Sequence, residues 1–173
     1  MKCLLPTTAS LILAVLMHGD VWGQDSSAPP PEMKALEKLV GTWKVEQENK
    51  VPEQGTVTYV LKGQSILSGR FVQQLGSSNN AVKPTQMGMY TYDSNEKNYR
   101  YWFFMSSGFF TDFTGTWDES SQTFTFTDWL PRRGGATITQ RFLDKNTFVF
   151  SMTTKDAGGK VVYQMEGKAV RQK

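Results

Sequence analysis

From Thr42 to Arg171 the chain is written almost without interruption in a period of two. Trp43, Val45 and Gln47 alternate with Thr42, Lys44, Glu46 and Glu48, and Val57, Tyr59 and Leu61 alternate with threonines and Lys62. Side chains at i, i+2 and i+4 share one face of a strand, so each segment has an apolar face and a solvated one. Three segments, Tyr92 to Tyr99, Trp117 to Phe124 and Leu143 to Phe148, run from a large residue through Asp and a polar turn to an aromatic. Asp in that place can accept a hydrogen bond from the backbone two residues on, which makes each segment a hairpin. Hairpins in direct succession form a meander. About ten strands of ordinary length can hide both faces and abolish their edges by closing on themselves. The expected fold is all-β, an antiparallel up-and-down barrel of about ten strands. A β-sandwich is the alternative, and it has to explain why the hairpins follow one another so directly.

Within this pattern, Gly63-Gln64 reads as a turn into a third strand, Ser65 to Leu75, with Gly69 marking a bulge or sharp bend. Gly76 to Pro84 reads as a polar loop, long for a hairpin and suited to the entrance of a cavity. Ahead of the strands, Met33, Leu36, Leu39 and Val40 fall on one face of a helix of about two turns. Pro31 and Glu32 suit its first turn, and Gly41 can take a left-handed exit. A helix this short is marginal alone and must dock on an end of the barrel.

The N-terminus has the form of a secretory signal peptide over residues 1–23: a basic start at Lys2, an apolar run from Leu4 to Met17, and Val21-Trp22-Gly23 before the cut. Residues 24–31 (QDSSAPPP) read as a disordered, Pro-rich linker, and residues 32–173 as the barrel domain. Cleavage after Gly23 leaves 150 residues (173 − 23), a soluble chain in the periplasm or outside the cell. It also removes Cys3 and His18, the chain's single cysteine and single histidine. Without them there is no disulfide, thiolate nucleophile, Ser-His pair or imidazole ligand, so no metal site or cofactor is expected, and the chemistry left open to a catalytic residue is that of a carboxylate (Asp112, Asp118 or Asp128) or a tyrosine, as in an isomerase or hydrolase. The formal charge of +3 is spread among mixed signs, and Arg132-Arg133 is the one basic doublet picked out, so nucleic acid is not an expected partner.

The short helix, Gly41-Thr42-Trp43 on the first strand, the serial meander and Arg171 on the last strand together resemble the calycin superfamily, which includes lipocalins and fatty-acid-binding proteins. More narrowly, Pro31-Glu32, Leu36, Leu39, Gly41-Thr42-Trp43, Gly69-Arg70-Phe71, Tyr92-Asp93 and Gly115-Thr116-Trp117-Asp118 are similar to an uncharacterised family of secreted bacterial proteins. The resemblance implies that Trp43 sits at the closed end of the barrel with Arg171 packed across its ring, a structural pair. It also implies an interior that holds a small apolar or amphipathic ligand; in fatty-acid binders, arginine and tyrosine hold the ligand's carboxylate there. The chain lacks the cysteine bridge of secreted lipocalins and has more strands than their eight.

Side-chain parity nominates the interior candidates Tyr59, Met89, Tyr101, Phe103, Phe113, Phe126, Phe150 and Tyr163. Arg70 and Arg141, with Arg100, are the candidate cations, and Asp128 is an inward carboxylate that either arginine could pair. Such aromatic side chains can fill a barrel solidly or line a pocket; tyrosine hydroxyls and flexible methionines suit the second use. The strand Tyr99 to Ser106 is apolar on both faces, so Trp102 and Phe104 need cover from the protein itself or from a protein partner.

Overall fold

The structure, a computed structural model, describes residues 28–78, 83–128 and 134–173. The signal peptide, the start of the linker and the Arg132-Arg133 doublet lie outside the described residues. Ten strands close into one antiparallel barrel, each paired with its neighbour in sequence. They are β1 (Gly41–Val51), β2 (Gly55–Ile66), β3 (Phe71–Ser78), β4 (Gln86–Asp93), β5 (Asn98–Met105), β6 (Phe110–Asp118), β7 (Thr123–Asp128), β8 (Ala136–Asp144), β9 (Thr147–Lys155) and β10 (Val161–Arg171). The ring closes where β1 meets β10, with Trp43 opposite Arg171, Val45 opposite Ala169 and Gln47 opposite Gly167.

A short helix, α1 (Met33–Leu36), runs into a 3-10 turn at Glu37–Leu39. Met33, Leu36 and Leu39 are all buried, the face that the sequence spacing gives. The helix plugs one end of the barrel, and its last carbonyls are satisfied by side chains from three strands. Trp43 Nε1 donates to the Leu39 carbonyl at 3.0 Å, and Gln74 Nε2 donates to the same oxygen at 3.3 Å. The Arg171 fork donates to the carbonyls of Val40 and Lys38, while its Nε donates to that of Lys145. The guanidinium carbon lies 4.1 Å from the Trp43 ring centroid, the cation-over-indole contact that the resemblance implies. Gly41 has φ +118°, and a Cβ there would run into that guanidinium, so glycine is required by both backbone and space.

All three Asp hairpins form at this plugged end. Asp93 accepts from Asn95 N, Asp118 from Ser120 N and Asp144 from Asn146 N, at 2.7–3.0 Å. The exposed Asp118 carboxyl also takes both serine hydroxyls, which holds it down at a pKa of about 2.

Two boundaries differ from the sequence reading. β2 runs through Gly63-Gln64 to Ile66, and the turn falls at residues 67–70, where Leu67, Ser68 and Gly69 have positive φ. Gly63 stays in the strand because the helix needs it: a Cβ there would strike the Leu39 carbonyl. Gly69 therefore serves a hairpin turn rather than a bulge. β3 also continues through Gly76 to Ser78, which takes those residues out of the polar loop. Among the linker's described residues, the carbonyls of Pro30 and Pro31 accept from Met33 N and Lys34 N, which makes them the helix's first turn rather than free tether.

The core is a run of rings: Trp43, Phe148, Phe142, Phe124 and Tyr99 at the plugged end, then Phe126, Tyr90, Tyr101 and Phe113. No helix among the described residues is long and apolar enough to cross a membrane.

Candidate functional site

Beyond these rings the barrel interior opens into a cavity of about 550 Å3. It lies toward the end away from Trp43, where Gln86 begins β4, Met105 ends β5 and Phe109 stands in the β5–β6 connection. Going round the barrel, its wall changes character. β10, β1 and β2 contribute Tyr163, Met165, Gln47, Tyr59 and Leu61; β4, β5 and β6 contribute Gly88, Tyr90, Tyr101, Phe103 and Phe113; β8 and β9 contribute Ile138, Gln140, Phe150 and Met152. Tyr90 and Tyr101 stack with centroids 4.2 Å apart and planes 3° apart, and Tyr101 continues onto Phe113 at 5.4 Å. Stacked rings present a continuous flat apolar surface.

Two side-chain networks supply the polarity. On one wall Tyr59 OH donates to Gln47 Oε1 at 3.1 Å, and Gln47 Nε2 donates to Asn49 Oδ1 at 2.7 Å. The second runs along the floor, and the geometry fixes its direction. The Leu39 carbonyl can only accept, so Gln74 must turn Nε2 toward it and Oε1 toward Tyr90. Tyr90 OH then donates to Gln74 at 3.3 Å and accepts from Gln140 Nε2 at 3.4 Å. Gln140 Oε1 ends the relay as a buried acceptor with no hydrogen-bond partner. Gln74 and Gln140 are 4% and 8% exposed, unusual burial for amides and consistent with their use as network members rather than surface groups.

Burial raises the pKa of every cavity tyrosine. Tyr90 is pushed up to about 12, Tyr101 is raised well above the usual phenol value by desolvation and its tyrosine neighbours, and Tyr59 and Tyr163 are raised by desolvation. They are neutral phenols at any physiological pH, built to donate hydrogen bonds and poorly suited to act as bases. Because the folded state holds these protons more tightly than the unfolded chain, their contribution to stability is complete below pH ~10 and is lost as pH rises through the raised values, for Tyr90 toward about 12. For Tyr90 the slope is about 1.4 kcal/mol per pH unit across that window. Alkaline titration followed by phenolate absorbance and circular dichroism should therefore show most phenolate signal appearing together with unfolding. Stepwise ionisation of Tyr90 and Tyr101 near pH 10 in a folded barrel would contradict the burial described here.

Of the residues nominated from sequence, Tyr59, Tyr101, Phe103, Phe113, Phe150 and Tyr163 line the cavity. Phe126 points inward but is wholly buried behind the lining, against Tyr90 and Tyr101. Met89 does not reach the interior: Gly88 and Tyr90 hold the inward positions of β4, so Met89 faces out. Arg141 also faces out, because its neighbours Gln140 and Phe142 face in, and it borders a shallow external groove with Glu166 and Lys168. Arg70 sits in the β2–β3 turn at the plugged end, beside Pro30, Tyr92 and Lys97. Val57, exposed at 44%, does not line the cavity either. Asp128 has inward parity at the end of β7, but its carboxylate caps the Ala136 N–H at 2.8 Å. Burial and nearby Asp112 raise its pKa, the Ala136 bond opposing them. Neither nominated arginine can pair with it, since one lies at the far end of the barrel and the other on the opposite face of its strand.

Missed by sequence reasoning were Tyr90, Gln74, Gln86 and Gln140, all of which line the cavity. Parity with Val72 and Ile138 is the signal that would have placed Gln74 and Gln140 inside, whereas taking Met89 as inward put Tyr90 and Gln86 on the wrong face of β4. The outward face of β5 is covered in part by the protein itself. Arg100 lies over the Trp102 ring at 5.6 Å while bonding Asp112, and Phe104 stacks on Phe110. Phe104 and Phe110 are nevertheless 37% and 71% exposed.

Two solved structures share the barrel. One is Rv2717c from M. tuberculosis, 14% identical, with a TM-score of 0.58 over 84% of this chain and 99% of that one. The other is the S-type phycobiliprotein lyase CPES from Guillardia theta, 15% identical, with a TM-score of 0.55 over 81% of this chain and 92% of that one. At such identities the likeness is one of fold. No curated protein matches the chain significantly. Residues 28–171, the whole of the helix and barrel, match the model of the DUF1579 family, described as a protein of unknown function, and the chain belongs to that family.

Proposed function

We propose that this protein is a container: a barrel, exported by the signal peptide at residues 1–23 and tethered by a short Pro-rich segment, that binds a small, mostly apolar ligand in its interior. The observation that carries this reading is the cavity of about 550 Å3, walled mainly by rings and methionines, with a few convergent amides and hydroxyls. That size and composition fall in the range of small-molecule sites, and a barrel serving only as a packed core would fill such a space with side chains. The fold is arranged to support the site: helix, Trp43 and Arg171 seal one end, and the cavity lies toward the other. Tyr59, Tyr101, Phe103, Phe113, Phe150 and Tyr163 are the proposed contact residues, and no chemical step is assigned to them.

A second reading, an extracytoplasmic protein-interaction module, draws on the exposed Phe104–Phe110 pair. It is the weaker one, because Arg100 already covers Trp102, and Met105 and Phe109 beside the pair also line the cavity. Native mass spectrometry of the protein isolated from its own host separates the two. The container should appear as a chain beginning at Gln24, carrying an extra mass of a few hundred daltons that is lost on denaturation. A discrete oligomer of ligand-free protomers would favour the module.

A further inference from the structure

The cavity's two sides are chemically different, and the strand order sets them across from each other. In a closed ring of ten strands, β10, β1 and β2 stand opposite β5, β6 and β7. The first group presents Tyr163, Gln47 and Tyr59 beside Leu61 and Met165; the second presents Tyr101, Phe103 and Phe113 beside Thr111. The first wall therefore carries more of the amide and phenol groups, and the facing wall offers more aromatic surface, Tyr101 and Phe113 stacked with their planes 19° apart. The polar wall is set in place before any ligand arrives, with Tyr59 bonded to Gln47 and Gln47 bonded to Asn49. Preset donors and acceptors select for partners that match them.

Charge is what the lining omits. Among the described lining residues there is no Asp, Glu, Lys, Arg or His. The cations nominated as carboxylate holders lie elsewhere, Arg70 at the plugged end and Arg141 on the outer face. An ionised group drawn into this space would lose its hydration and meet no counter-charge among the described lining residues, whereas a neutral amide, carbonyl or hydroxyl would find partners.

We infer that the cavity selects an uncharged, flat, aromatic ligand whose hydrogen-bonding edge lies on the Gln47–Tyr59–Tyr163 wall, and that it discriminates against carboxylates, fatty acids included. This inference rests on the container reading and specifies its chemistry.

A matched pair of probes tests it: 2-naphthamide and 2-naphthoate have the same ring and differ in charge at pH 7. Calorimetric titration of the wild-type protein should show the amide binding at least about tenfold more tightly, and decanoate no better than the naphthoate. Tyr59→Phe should weaken the amide and leave the naphthoate unchanged. Met165→Lys, which puts a cation into the lining, should reverse the preference. Equal or tighter binding of 2-naphthoate or decanoate by the wild-type protein would overturn this inference and leave the container standing. Failure of all three probes, with the barrel folded by circular dichroism, would count against both.

Discussion

Trp43→Ala should be the most destabilising single substitution of the barrel's plugged end, costing about 3–5 kcal/mol, the range for truncating a large buried aromatic. The indole is fully buried, packs edge-on against Phe148 at 4.9 Å, donates to the Leu39 carbonyl and lies under the Arg171 guanidinium. Removing it opens a cavity, takes one of two donors from the Leu39 carbonyl and takes the aromatic face from a cation. These losses are coupled and do not add, so the upper part of that range is the expectation. For a chain of this size the midpoint of thermal unfolding should fall by about 10–20 °C. Equilibrium urea denaturation gives the direct value; a loss below about 1 kcal/mol would show that the plug is not what holds the barrel closed.

The second large effect concerns binding rather than stability. Met152 lies on β9 among the lining residues, its side chain only partly buried. Met152→Trp places an indole in the space that a ligand would occupy. Overpacking costs about 1–3 kcal/mol where a core is already full, but here there is room to receive the ring. The variant should stay folded with a midpoint within a few degrees of wild type, and lose affinity for a neutral aromatic probe by about 100-fold or more, equivalent to about 2.7 kcal/mol. Full retention of binding would mean that the probe sits elsewhere, for example on the exposed Phe104–Phe110 pair.

Much of this architecture is legible in the sequence because it rests on short-range rules. Alternation gives the strands, and Asp93, Asp118 and Asp144 give the hairpins through bonds two residues long. The helix face follows from its spacing, and the Trp43–Arg171 pairing follows from the family likeness. The interior was harder to read where residue type and strand phase disagree. In β4 the apolar Met87 and Met89 share one face, yet the inward face is Gln86, Gly88 and Tyr90. Gly88 has to be small because the Tyr90 and Tyr101 rings lie where its side chain would go. Gln74 and Gln140 look like surface residues until the relay through Tyr90 to the helix carbonyl gives them partners. That relay joins β8, β4, β3 and the end of the helix, contacts that no local pattern encodes. Arg70 was misplaced for a different reason: moving the β2–β3 turn to residues 67–70 carries it out of a strand and to the plugged rim.

The central claim, that the interior is the binding site, can be read from the methionines already in the chain. Met105, Met152 and Met165 line the cavity, whereas Met33 lies on the buried face of the helix and Met87 and Met89 are absent from the lining. With methyl-13C-methionine protein, titrating 2-naphthamide should shift the methyl resonances of Met105, Met152 and Met165 through the ring current and leave those of Met33, Met87 and Met89 in place. Shifts confined to Met87 or Met89, or shifts in Met105 and Met165 that persist unchanged in Met152→Trp, would place the probe outside the barrel and contradict the claim.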